Sequence, residues 1–152
     1  MTTKAAIQDF LAQRRLAVVG VSGKRRKFGN VILKELGAKG YEVYPVNPGA
    51  EEVDGHRCYP NLAAVADRVE GAVLVVPPAQ TEKVVREAAE AGIRRIWMQQ
   101  GAESDEAVRF CGERGIEAIH GECILMFADP AGFVHRLHRW LRGVVGKLPE
   151  DA

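Results

Sequence analysis

The stretch Leu16–Leu36, LAVVGVSGKRRKFGNVILKEL, decides the fold. Leu16 to Gly20 is an apolar run ending in glycine, the pattern of a strand buried on both faces. Gly29 to Ala38 then carries Val31, Ile32 and Leu36 on one side, the spacing of a helix that closes near Gly37 or Gly40. Strand, glycine turn and helix together open a dinucleotide-binding unit, but the spacing departs from G-x-G-x-x-G. Ser22 and Arg25 stand where the later glycines belong, and the glycines that do follow are Gly23 and Gly29. Four consecutive cations, Lys24, Arg25, Arg26 and Lys27, fill the tip of this longer loop.

On either side the same alternation continues. Ile7, Phe10 and Leu11 predict a short helix over Thr3 to Gln13 with Thr2 or Thr3 as its cap. A second strand, Glu42 to Val46, is stopped by Asn47-Pro48-Gly49. Glu51 to Pro60 reads as a loop or short edge strand, and Leu62 to Asp67 as a short helix. Ala72 to Val76 is another apolar run, ended by Pro77-Pro78. Then come a helix over Ala79 to Ala91, a strand over Ile93 to Met98, a helix over Ser104 to Arg114 and a strand over Glu117 to Ile119. Phe133, Val134, Leu137, Leu141 and Val144 predict a last helix over Pro130 to Val145, a candidate homodimer surface. Apolar strands alternating with helices predict an α/β fold: one Rossmann-like, doubly wound parallel sheet of about five strands with helices on both faces. No linker or repeat divides residues 1–152, so a single domain is expected.

The totals narrow the function. The chain of 152 residues is 47% hydrophobic and 27% charged, with a formal net charge of +1. That balance gives no global field for nucleic acid, so any anion site must be local. The three cysteines, Cys58, Cys111 and Cys123, are odd in number and lack C-x-x-C spacing, which argues against disulfides and a zinc knuckle. No signal-peptide or membrane-spanning run is visible, and a cytoplasmic protein with reduced thiols is expected.

In a doubly wound sheet, ligands bind beyond the carboxyl ends of the strands. Here those ends carry Gly20 to Gly23, Asn47-Pro48, Pro77-Pro78, Gln99 to Gly101 and His120 to Cys123. Backbone amides near Gly23 and the helix head after Gly29 suit a phosphate. Ser22 adds a hydroxyl, and the four cations can meet further phosphate groups. A run of cations is ordinarily a solvated loop; its position in the nucleotide loop argues for a binding role. NAD-binding folds place an acid near the end of the second strand to bond the ribose. This chain has Val46, Asn47 and Pro48 there, which suits a nucleotide with a ribose phosphate. NADP and coenzyme A (CoA) both qualify, and charge does not separate them.

Four segments carry a resemblance: AVVGVSGKRRKFGNVILKELGAKGYEVYPVNP (Ala17–Pro48), VLVVPP (Val73–Pro78), GIRRIWMQQGAESDEAV (Gly92–Val108) and GIEAIHGECI (Gly115–Ile124). Together they resemble the stand-alone CoA-binding domain family, which is similar to the CoA-binding domain of the succinyl-CoA synthetase alpha subunit. The resemblance implies that Gly20, Val21, Ser22 and Gly23 form a phosphate loop, with Lys24 to Lys27 near the CoA phosphates. It implies that Val46, Asn47 and Pro48 lie against the adenosine portion and that Val76, Pro77 and Pro78 flank the ligand. Gln100 and Gly101 match the fourth strand end, and Cys123 a cysteine-bearing turn after the fifth. The synthetase's second domain, with its phosphorylated histidine, has no counterpart in this length, so ligase chemistry does not transfer.

The expected function is therefore binding of CoA or an acyl-CoA without turnover by this chain alone, as a sensor, carrier or partner-regulating module. The alternative is an NADP-dependent reductase, or a CoA-linked acyl transferase or hydrolase using Cys123. A thiol needs a base to act as a nucleophile, and His120 is near only in sequence; a buried Cys123 capping the sheet, with a histidine at the rim, is the plainer expectation. His56, His135 and His138 have no metal-ligand spacing. No catalytic or metal-binding residue is assigned.

Overall fold

Strand residues alternate between two apolar layers, which is why the strands read as continuous apolar runs. A computed structural model of the chain describes residues 2–24 and 27–128. Arg25, Arg26, and the helix expected over Pro130 to Val145 with its homodimer surface, lie outside the described residues. The elements in chain order are α1 (Lys4–Ala12), β1 (Arg15–Val19), α2 (Phe28–Ala38), β2 (Glu42–Val46), β3 (Glu52–Val53) and β4 (His56–Arg57). They continue with β5 (Gly71–Leu74), α3 (Pro78–Glu90), β6 (Arg95–Gln99), α4 (Asp105–Glu113) and β7 (Glu117–Glu122).

Five of the strands form one parallel sheet in the order β2-β1-β5-β6-β7. Leu16, Val18, Val73, Trp97 and Ile119 point to one side, where α1 and α2 cover them with Ile7, Phe10, Ile32, Leu33 and Leu36. Ala17, Ala72, Leu74, Ile96 and Met98 point to the other, under Val85 and Ala88 of α3 and Phe110 and Cys111 of α4. This is the expected Rossmann-like, doubly wound sheet. The order reverses direction between β1 and β5, and the crevice beyond their carboxyl ends is the switch point of the fold.

The differences from the sequence-based expectations are local. Glu51 to Pro60 forms a small hairpin, β3 with β4, around the two-residue turn Asp54-Gly55. Both turn residues have positive φ, 50° and 83°, as a two-residue Asp-Gly hairpin turn requires. The helix expected over Leu62 to Asp67 is a single 3-10 turn, Leu62–Ala64, capped by the Asn61 side chain. The last strand runs three residues beyond Ile119 to Glu122, because its end is held from β6: the Trp97 indole and the Gln100 amide both donate to the Glu122 carbonyl. His120 therefore lies inside β7, with its N–H and C=O both bonded to the Thr2 hydroxyl at 3.0 and 3.1 Å. On the opposite edge, Tyr59 donates to the Pro45 carbonyl and accepts from the Asn47 N–H, both at 2.9 Å.

Helix α1 is seated by Phe10, whose ring meets Trp97 edge-on at 5.4 Å over the space left by Gly71. Asp9 of α1 also bonds Arg95 at 2.8 Å, which holds its carboxyl below the usual range. Glu117 is beside this pair. Burial first, and then the bonded Asp9 carboxyl, raise its pKa, and its Oε1 is buried without a hydrogen-bond partner among the described residues.

Three substitutions test this packing. A Cβ on Gly29 would overlap the Gly20 carbonyl, so Gly29→Ala is expected to lower unfolding free energy by about 1–3 kcal/mol in urea titration. Gly112→Ala, in α4 with open space around it, should instead raise it by up to about 1 kcal/mol. Glu117 keeps a proton in the folded chain where the unfolded chain has lost it. Its ionisation thus removes stability as pH rises from about 4.3 through the raised folded value. Glu117→Gln should raise the urea midpoint at neutral pH, and the gain should vanish at pH values low enough to protonate Glu117 in both states.

Candidate functional site

The end of β1 turns at a glycine that leaves no room for a side chain. Gly20 has φ of 111°, and a Cβ there would collide with the Val75 carbonyl at the end of β5. Gly29, in the first turn of α2, fits as closely against the Gly20 carbonyl. The two residues thus fill the tight-turn and helix-packing roles of the first and last fingerprint glycines, although the loop between them is longer. Gly23 faces Ala50 and the Glu52 carbonyl near the hairpin.

Two asparagines shape this loop. Asn30, only 3% exposed, accepts from the Ser22 N–H at 2.9 Å and the Lys27 N–H at 3.4 Å through Oδ1. Its Nδ2 donates to the Ser22 carbonyl at 2.8 Å and to Asp54 Oδ2 at 3.3 Å. Asn47 donates from Nδ2 to the Val21 carbonyl at 2.7 Å and accepts from the Gly49 N–H at 2.6 Å. The Ser22 hydroxyl accepts from the Lys24 N–H at 3.2 Å. The loop is held from both ends by side-chain amides.

Beyond it lies a cleft of about 540 Å³. Its floor is Val19, Gly20 and Val21 at the end of β1 with Val75, Val76 and Pro77 at the end of β5. Lys27 reaches it from the head of α2, while Gln80, Lys83, Val84 and Glu87 line the α3 side. Val46, Asn47, Pro48, Pro60 and Asn61 close the β2 end. Among the described residues, the lining holds two lysines and one carboxylate, Glu87, which stands on α3 and not at the end of β2. A larger groove, about 820 Å³, opens between α2, β2 and the hairpin, lined by residues such as Leu33, Tyr44 and His56. We favour the smaller cleft because only it combines the switch point, a helix head and a cationic wall.

Of the residues expected from sequence, Gly20, Val21, Lys27, Val46, Asn47, Pro48, Val76 and Pro77 line this cleft. Ser22, Gly23, Lys24, Gly29 and Pro78 do not line it; Ser22 and Gly29 support its loop instead. Gln100 and Gly101 lie at the end of the neighbouring β6, where Gly101 donates to Glu103, and do not line it either. Sequence reasoning missed Asn30 and Asp54 as loop supports, and Asn61, Gln80, Lys83 and Glu87 as lining. Gln80, Lys83 and Glu87 are one turn apart, a signal that becomes legible only when the α3 face is known to border the crevice.

The thiols are distributed differently. Cys58 is buried beside the Asn47 carbonyl at 3.7 Å, and burial pushes its pKa up. Burial raises Cys111 to about 11. Cys123 is half-buried rather than buried as expected, because it follows β7 at the rim; it neither lines the cleft nor bonds to His120. Among the described residues, no group of three or more His, Cys, Asp or Glu is placed to hold a metal ion. None of their helices is long and apolar enough to cross a membrane.

The CoA binding domain family matches residues 14–129 of the chain. Among curated proteins, the ADP-forming acetate–CoA ligase II of Archaeoglobus fulgidus is 31% identical over 113 residues, 73% of this chain. The chain spans only 16% of that ligase's length. The uncharacterized protein YneT of Bacillus subtilis is 29% identical over 123 residues, covering 80% of this chain and 91% of YneT. Among solved structures, a conserved hypothetical protein from Pyrococcus furiosus superposes with a TM-score of 0.70 at 45% identity, covering 73% of this chain and 96% of its own.

Thiol reactivity provides a check on the geometry. With a thiol-specific disulfide reagent in mildly alkaline buffer, one cysteine should react rapidly, and Cys123→Ser should abolish that phase. Cys58 and Cys111 should react only as fast as the chain opens.

Proposed function

This chain belongs to the CoA-binding domain family, and on that premise we propose that it holds CoA or an acyl-CoA in the switch-point cleft without turnover of its own. The observation that carries this reading is the cleft itself: a floor at the ends of β1 and β5 that narrows at Gly20, a helix head and, among the described residues, two lysines and no acid at the end of β2. An acid there would favour free ribose hydroxyls; its absence with nearby lysines favours a nucleotide carrying an extra phosphate. The similarity to ADP-forming acetate–CoA ligases supports CoA over NADP, since those relatives are named for CoA. The proposed site is Gly20 to Val21 with Lys27, Asn47-Pro48 and Val76-Pro77, supported by Ser22, Asn30 and Gly29.

A cytoplasmic sensor, carrier or partner-regulating module fits this chemistry. Among the described residues, the cleft lining contains neither a thiol nor a histidine, so acyl transfer through Cys123 draws no support from it. Among the described residues, Lys27, Lys83 and Glu87 are the titratable groups that border the crevice, which gives a reductase reading no specific support.

Thermal unfolding with CoA, 3′-dephospho-CoA, NADP and NAD tests the reading. CoA at a hundredfold over its dissociation constant should stabilise the fold by about 2.7 kcal/mol. Acyl-CoA incubated with the protein should remain intact. No shift with CoA, or a larger one with NADP, overturns the proposal.

A further inference from the structure

We infer that Lys83 of α3 is a second phosphate-binding residue of the cleft, acting across it from Lys27. This rests on the reading of the cleft as a CoA site. The two lysines approach from helices on opposite faces of the sheet and border one crevice. Neither forms an ion pair with a described residue. The neighbouring pairs show that such pairing is readily made: Lys39 meets Glu35 at 3.3 Å and Arg86 meets Glu82 at 2.8 Å, each at i,i+4 spacing. Lys83 has Glu87 at that spacing without pairing to it, in the weaker orientation with the cation on the N-terminal side.

The heads of the two helices differ in what they offer an anion. On the α2 side, backbone amides and the helix dipole are available beside Lys27. On the α3 side, the cap and first helical residue are Pro77 and Pro78, which have no N–H. The Gln80 N–H is taken by the Pro77 carbonyl at 2.8 Å and Ala79 does not line the cleft, so a phosphate on that wall is met by a side chain, and Lys83 is the only cationic side chain of α3 lining the crevice. Gln80, one turn nearer the rim, adds an amide. The ligand chemistry is a nucleotide with phosphate at two separated places, and CoA has both a diphosphate and a ribose monoester.

Calorimetric titration of CoA and 3′-dephospho-CoA into the wild type, Lys83→Gln, Lys83→Arg, Lys27→Gln and Lys4→Gln tests the inference. Lys83 is exposed, so its variants should fold. Lys83→Gln should weaken CoA binding roughly tenfold, the loss of one charge-assisted contact. Lys83→Arg should keep most of the affinity. Lys4→Gln, which removes the same charge from α1 outside the cleft, should bind as the wild type does. If the loss disappears with 3′-dephospho-CoA, Lys83 meets the monoester; if it persists, it meets the diphosphate, and either result supports the role. Unchanged affinity of Lys83→Gln for both ligands, with Lys27→Gln weakened, overturns it while leaving the CoA site standing. A wild type that binds no CoA overturns the reading of the site and this inference with it.

Discussion

The backbone of Gly20 rests directly on the Val75 carbonyl, and the first turn of α2 rests in turn on the Gly20 carbonyl. Three chain segments converge there with no side chain between them. That approach sets how narrowly the ends of β1 and β5 are separated and how low the head of α2 sits. A methyl group at either position would have to lift α2, and Lys27 would move with it. The core on the α2 side uses the same approach, since Ile32, Leu33 and Leu36 reach Leu16 and Val18 only from that height. Core packing and the shape of the cleft therefore depend on one contact.

The longer loop between these glycines needs its own order. Fixing a loop costs conformational entropy, and short loops avoid that cost by being short. Here the compensation comes from Asn30 and Asn47, whose amides bond the backbone at Val21, Ser22 and Lys27. Asp54, in the hairpin turn, bonds the same Asn30 amide. The hairpin is small, but through this bond it belongs to the loop after β1 as much as to the edge of the sheet.

Much of the architecture was legible because its signals are periodic. Apolar runs such as Leu16 to Gly20 and Ala72 to Val76, each stopped by glycine or proline, suit strands covered on both faces, and the strands observed there are Arg15–Val19 and Gly71–Leu74. The glycine and proline turns at their ends marked the rim, and eight of the expected site residues do line the cleft. What escaped depends on three-dimensional adjacency. Asn30 reads as an ordinary helical residue until its amide is seen bonding backward to Ser22. Asn47 reads as a ligand-facing turn residue, yet its amide braces Val21. The packing roles of Gly20 and Gly29 were hidden because the insertion between them broke the expected spacing. Conversely, Gln100 and Gly101 share the rim with the cleft but not its walls, because strand ends share an edge over a wider distance than one crevice spans.

The two borders of the sheet also constrain how this fold meets other molecules. An open sheet presents unpaired amides and carbonyls on its outermost strands, and these invite another chain to add a strand. On the β2 border, Pro45 has no N–H to offer, and its carbonyl is taken by Tyr59. On the β7 border, Thr2 occupies both backbone groups of His120. A ladder added at either border would break at these points. The fold thereby resists self-templated sheet growth at both borders, the route by which open sheets aggregate.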